Sequence, residues 1–115
     1  MSINVTWERK GGILIGALEG RIDGSNAGDF QSALEAGIGA GDNALVLNFE
    51  KVSFISSAGL RVGLVIARKF NEPGKMFSVC TLPDPVREVV AVSGFDQIIS
   101  VYDSQDEAVR ALECK

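Results

Sequence analysis

The chain has no histidine. That absence removes the Ser-His-Asp and Cys-His schemes of nucleophilic catalysis, and zinc held by imidazole with them. Cysteine is nearly as scarce, with two residues in 115. Cys80 lies in an apolar run, where a buried free thiol is expected, and Cys114 is next to the C-terminus. They form no CxxC pair and no disulfide framework, which fits a reducing, cytoplasmic setting. Positive charge is short as well. Eleven Lys and Arg against fifteen Asp and Glu leave a net charge of −4. A surface that neutralises phosphates needs the opposite sign, so nucleic acid is not an expected partner. Long apolar runs are missing too. The best one, Leu60 to Phe70, is broken by Arg61, Arg68 and Lys69, so no membrane insertion is expected. The opening MSINVTWERK has no signal-peptide pattern. There is no GxxxxGK[ST] phosphate loop either.

What remains is ordinary globular material, 46% hydrophobic and 23% charged. A chain of this length buries roughly two thirds of its unfolded surface and needs no staple. No linker, repeat or low-complexity segment divides it, so residues 1–115 are read as a single domain.

Ile3, Val5 and Trp7 alternate with polar residues, Lys10-Gly11-Gly12 offers a tight turn, and Ile13 to Leu18 follows as a second apolar run. This is a hairpin signal. Ala27, Phe30, Leu34 and Ile38 then recur at helical spacing, with Asp23, Ser25 or Asn26 available as N-cap and Gly37, Gly39 and Gly41 expected to end the helix. Ala44 to Phe49 reads as a central strand covered on both faces. A second helix follows, with Leu60 and Leu64 four apart and both expected in the core. Met76 to Leu82 is another strand. Asp84-Pro85 is expected to open a third helix, with the carboxylate as cap and proline at the first helical position. Ile98 to Tyr102 is a last strand, and Ser104 caps a last helix. The order is ββαβαβαβα. It predicts an α/β fold with a mostly parallel sheet and an antiparallel hairpin at one edge.

Catalytic chemistry finds little support. Gly37-Ile38-Gly39-Ala40-Gly41 follows a helix and precedes a strand, the reverse of a dinucleotide-binding loop, so it reads as a helix stop. Asp23, Asp84 and Asp103 each precede a helix and read as caps or solvated charges. No catalytic residue, metal ligand or cofactor is predicted, and the chain is not read as an enzyme.

The distinctive stretch is Ser56-Ser57-Ala58-Gly59-Leu60, where a strand becomes a helix. One explanation is local. A serine before a helix caps a free backbone N–H, worth about 1 kcal/mol, and glycine permits a tight turn. The other is functional. Open α/β sheets present their sites at the carboxyl ends of parallel strands. A phosphate there, carrying about −1.5 to −2 charge, would face the positive end of a helix.

Three blocks resemble the STAS domain, specifically the free-standing anti-sigma factor antagonists of bacteria. They are GRIDGSNAGDFQSAL, LVLNFEKVSFISSAGLRVGL and PDPVREVVAVSGFDQIISVYDSQDEAV, and the resemblance covers essentially the whole chain. It implies a STAS-like fold and a partner-switching regulator. In such a cycle the unphosphorylated antagonist binds an anti-sigma factor with serine kinase activity and so frees a sigma factor. The kinase phosphorylates the antagonist and releases it, and a serine phosphatase resets it. The family pattern D-S-x-G-L places the acceptor on Ser57, with Ser56 as the alternative because it replaces the aspartate and supplies a second hydroxyl. Asn48 is a further departure, since many relatives have aspartate there. The resemblance also implies partner binding by Asp23, Gly24, Ser25, Ser56, Ser57, Ala58 and Gly59, and Arg61, on one helix face with Arg68, is read as meeting an acidic partner there. Arg68 and Lys69 are read as a solvated stripe. Two alternatives lack a phosphorylation cycle. One is a STAS scaffold subunit of a transport or lipid-trafficking assembly, and the other is a small-ligand sensor.

Overall fold

In the computed structural model, which describes residues 3–113, the chain enters through a hairpin. Strands β1 (Asn4–Lys10) and β2 (Ile13–Ile22) pair antiparallel. Gly11 and Gly12 join them with φ of 56° and 85°, the left-handed pair that a two-residue turn of this twist requires. Next come α1 (Ala27–Gly37), β3 (Ala44–Ile55), α2 (Ser57–Lys69), β4 (Met76–Cys80), α3 (Asp84–Ser93), β5 (Ser100–Tyr102) and α4 (Gln105–Glu113). β2, β3, β4 and β5 run parallel, and the sheet order is β1-β2-β3-β4-β5. The expected α/β architecture, with an antiparallel pair at one edge, is the observed one.

Strand alternation divides the core. Leu14, Leu45, Leu47 and Val79 point to the face covered by α1, α2 and α3, where Phe30, Leu34, Ile66, Val86 and Val90 meet them. Ile13, Ile15, Val46 and Cys80 point the other way, towards Ala108 of α4. This double covering is why β3 begins as a nearly unbroken apolar run. Cys80 is a free, fully buried thiol, and burial pushes its pKa up. Cys114 lies outside the described residues.

β3 runs past its expected end at Phe49 to Ile55. Two register shifts against β2 each absorb one extra residue of β3, the first between Asn48 and Lys51 and the second at Ser53. Asn48 sits at the first shift. Its Oδ1 accepts from the Glu50 N–H at 2.9 Å, and its Nδ2 donates to Gln105 Oε1 of α4 at 3.0 Å. This extra length carries the end of β3 to the level of Ile22, the end of β2.

Local expectations failed where packing took over. α1 stops at Gly37 without a left-handed glycine cap, because Ile38 is the C-cap in an extended conformation. Gly37 serves the Trp7 indole instead: a Cβ there would collide with the ring. Asp84 is not the cap of α3. It is the first helical residue, behind Pro83, and makes no capping bond. Ile98 and Ile99 leave the strand because a 3₁₀ turn (Phe95–Gln97) precedes β5. Leu60 is buried as expected, but Leu64 is only partly covered. Ser104 does cap α4, accepting from the Glu107 N–H at 3.2 Å. No helix among the described residues is long and apolar enough to cross a membrane.

Candidate functional site

The β3–α2 junction is held from both sides. The Ser56 N–H donates to the Ile22 carbonyl at 2.9 Å, and the Ser56 carbonyl accepts from the Leu60 N–H at 3.0 Å. Ser56 is the N-cap residue of α2, with extended φ −95° and ψ 175°. Its side chain makes no capping bond. The hydroxyl is buried and has no hydrogen-bond partner among the described residues. Ser57 is the first helical residue and is exposed. Ser56 is thus half-buried with its hydroxyl covered, and Ser57 is exposed.

Ala58 is half-buried and Gly59 fully buried. A Cβ at Gly59 would lie 2.6 Å from Ile22 Cγ2 and 2.7 Å from Ile55 Cγ1. Gly59 thus lets the start of α2 settle directly onto the ends of β2 and β3. One turn later a Cβ at Gly63 would meet the Phe95 ring at 2.8 Å. These glycines place Ser57; they do not themselves present a contact surface. Arg61 is exposed, four residues after Ser57 and so on the same helix face.

The β2–α1 turn lies beside this junction, because Ile22 pairs with Ile55. Asp23 organises the turn. Its Oδ1 accepts from the Ser25 hydroxyl and from the Ser25 N–H at 2.9 Å, and its Oδ2 accepts from Arg21 Nε at 3.0 Å. The Ser25 hydroxyl first, then Arg21, hold the Asp23 carboxyl down to about 2. The Asn26 side chain closes the loop, donating to the Arg21 carbonyl at 2.6 Å and accepting from the Asp23 N–H at 2.9 Å. The Arg21 guanidinium also lies over Phe54, 4.5 Å from the ring centre. Gly24 and Ser25 are exposed at the tip. Asp23, Gly24 and Ser25 therefore form a rigid rim next to Ser56 and Ser57.

Sequence reasoning missed the opposite wall. A shallow groove runs from Ser57 and Leu60 to Glu88, Val89, Val92 and Ser93 of α3. Val92 is 89% exposed, extreme for a large apolar side chain. The signal was available, since Val86 and Val90 form the buried stripe of α3 and Val92 falls off that phase. Lys69 belongs elsewhere, bound to Glu35 of α1 at 3.3 Å. Among the described residues no group of His, Cys, Asp or Glu converges as metal ligands would. The arrangement is an exposed hydroxyl at a helix start, flanked by a rigid polar loop and an apolar groove.

Comparison with known proteins agrees with the architecture. BtrV of Bordetella bronchiseptica, named as a candidate anti-sigma factor antagonist, is 33% identical over 111 residues, covering 96% of each chain. An anti-sigma F factor antagonist of Paenibacillus polymyxa is 27% identical over 114 residues, covering 98% of this chain and 97% of the relative. The crystal structure of an anti-sigma factor antagonist from Mycobacterium paratuberculosis superposes with a TM-score of 0.88 at 24% identity, covering 96% of this chain and 94% of that one. That likeness establishes the fold. The STAS domain model matches residues 4–108, nearly the whole length, and the chain belongs to the STAS domain family.

Proposed function

We propose that this protein is an anti-sigma factor antagonist controlled by phosphorylation of Ser57. Unphosphorylated, it binds an anti-sigma factor that is also a serine kinase, and a sigma factor is freed. Phosphorylation releases it, and a serine phosphatase restores it. The observation that carries the reading is the contrast at the junction: Ser57 is exposed, and the hydroxyl of Ser56 is buried. A kinase reaches Ser57 without opening the fold. The names of the two relatives, which match this chain end to end, support the same reading.

The physics of the switch follows from the surroundings. A phosphate on Ser57 would stand at the start of α2, where the helix dipole favours negative charge, with Arg61 one turn along the same face. The folded state tolerates it. A partner seated on Val89 and Val92 would have to desolvate a doubly charged group against an apolar groove, which is strongly unfavourable without a matching cation. Phosphorylation therefore acts on binding and leaves the fold intact. Asp23, Gly24, Ser25 and Arg61 form the polar rim of the same contact.

The test is tryptic mass spectrometry after incubation with the anti-sigma kinase and ATP, on wild type, Ser56→Ala and Ser57→Ala. Phosphate is expected on Ser57 in wild type and in Ser56→Ala, and none in Ser57→Ala. Ser57→Asp is expected to fold normally and bind the kinase weakly. Phosphate on Ser56 would move the acceptor by one residue. No phosphate on either serine, with the kinase active on a control substrate, would end the phosphoswitch reading.

A further inference from the structure

The α2 helix carries Arg61, Arg68 and Lys69 and no acidic residue, in a chain of net charge −4. Lys69 is matched by Glu35. Arg61 and Arg68 are exposed, and among the described residues neither has a carboxylate partner. Arg68 borders a second groove, at the far end of α2 from Ser57. The groove is lined by Leu64, Ala67, Arg68, Asn71 and Ile98 and encloses about 280 Å³. Ile98, just past the 3₁₀ turn, is 66% exposed. Single exposed apolar residues are ordinary. Here, though, the two large exposed apolar side chains among the described residues, Val92 and Ile98, both flank α2, one at each end. Glu88 borders the groove near Ser57, but no acidic residue lines the one near Ile98.

We propose that this second groove docks an amphipathic acidic segment of the partner that engages Ser57, its apolar side on Leu64 and Ile98 and its carboxylates on Arg68. The inference rests on the reading of Ser57 given above. Its warrant is charge complementarity: an uncompensated arginine beside an apolar floor selects a segment that presents both features, and such matching sets register and partner choice. Arg68 is eleven residues beyond Ser57, about 16 Å along the helix axis. That is roughly twice the Debye length at physiological salt, so a phosphate on Ser57 hardly influences Arg68. The contact at this groove is therefore independent of the charge on Ser57, and it adds to the affinity that phosphorylation then lowers.

The experiment is calorimetric titration of the purified kinase that phosphorylates Ser57 with wild type, Ile98→Ser, Arg68→Glu, Ser57→Asp and Ser57→Asp/Ile98→Ser. Folding of each is checked by circular dichroism. Ile98→Ser and Arg68→Glu are each expected to raise Kd about fivefold or more. The Arg68→Glu loss should shrink as salt rises from about 50 to about 300 mM, because it is screened. The double variant should bind more weakly than Ser57→Asp alone. If Ile98→Ser and Arg68→Glu bind like wild type while Ser57→Asp fails, the groove is idle and the inference is overturned with the Ser57 reading intact. If wild type does not bind the kinase, the partner-switch reading falls and takes this inference with it. A dimer in sedimentation that Ile98→Ser abolishes would give the groove to a second copy of the chain and overturn the proposal.

Discussion

Removing the hydroxyl of Ser56 should stabilise the protein or leave it unchanged, although Ser56 is a helix N-cap. Replacing a capping serine by alanine ordinarily costs about 0.5–2 kcal/mol, because a backbone N–H loses its acceptor. At Ser56 there is no such bond to lose. What is lost is a buried hydroxyl without a partner, and leaving such a group unsatisfied costs about 1–3 kcal/mol. Alanine keeps the Cβ, and with it the contacts against the strand ends. The expected change is a gain between zero and about 2 kcal/mol, the upper end applying if the hydroxyl finds no partner by rotating. Ser104→Ala is the matched control. Ser104 Oγ accepts from the Glu107 N–H at 3.2 Å, so its removal should cost about 0.5–2 kcal/mol. The two substitutions are chemically identical and should move the urea midpoint in opposite directions. A change of 1 kcal/mol displaces it by about 0.5–1 M, for a slope of about 1–2 kcal/mol/M. If Ser56→Ala loses 1 kcal/mol or more at an unchanged slope, the hydroxyl is satisfied in solution, and the account of the junction is wrong.

Gly59→Ala should destabilise by about 1–3 kcal/mol despite the gain of about 1 kcal/mol in helix propensity, because its Cβ collides with Ile22 and Ile55. Gly28→Ala, in α1 with no atom within 4 Å of the added carbon, should instead gain about 0.5 kcal/mol, and thermal melting of the pair reads the contrast. Thr81 adopts a φ of 58°, unfavourable for a β-branched residue. Thr81→Gly should therefore gain about 0.5 kcal/mol or more, the relief of about 1–2 kcal/mol exceeding the extra unfolded-state entropy. A loss above about 1 kcal/mol would show that its side chain supports the fold. The Asp23 carboxyl is held at about 2 when folded, against an ordinary 3.8. The stabilisation it contributes is then full above the ordinary value and lost as pH falls from about 4 through about 2. Acid titration of Asp23→Asn should lack that component. Equal acid sensitivity in both proteins would refute the role given to Asp23.

Much of the architecture is written in local pattern, because local interactions produce it. The Gly11-Gly12 turn, the alternation in β1, the 3.6-residue stripe of α1 and the Ser104 cap each depend on residues within one or two turns of one another, and all were readable. The S-S-A-G-L block was also readable as a strand-to-helix junction, the one where β3 gives way to α2. Which of its two serines faces outward is a different kind of fact. It follows from the docking of Ile22 against Ile55, strands far apart in the chain, and from Gly59, which lets α2 close onto both. The same holds for Gly37, which belongs to Trp7, and for Lys69, which turns to Glu35. The exposure of Val92 and Ile98 likewise emerges only once α2 and α3 are packed. Periodicity tells which face of an element is apolar. What an apolar face meets, and which hydroxyl is left in water, depends on contacts between segments distant in sequence, and only the tertiary structure decides them.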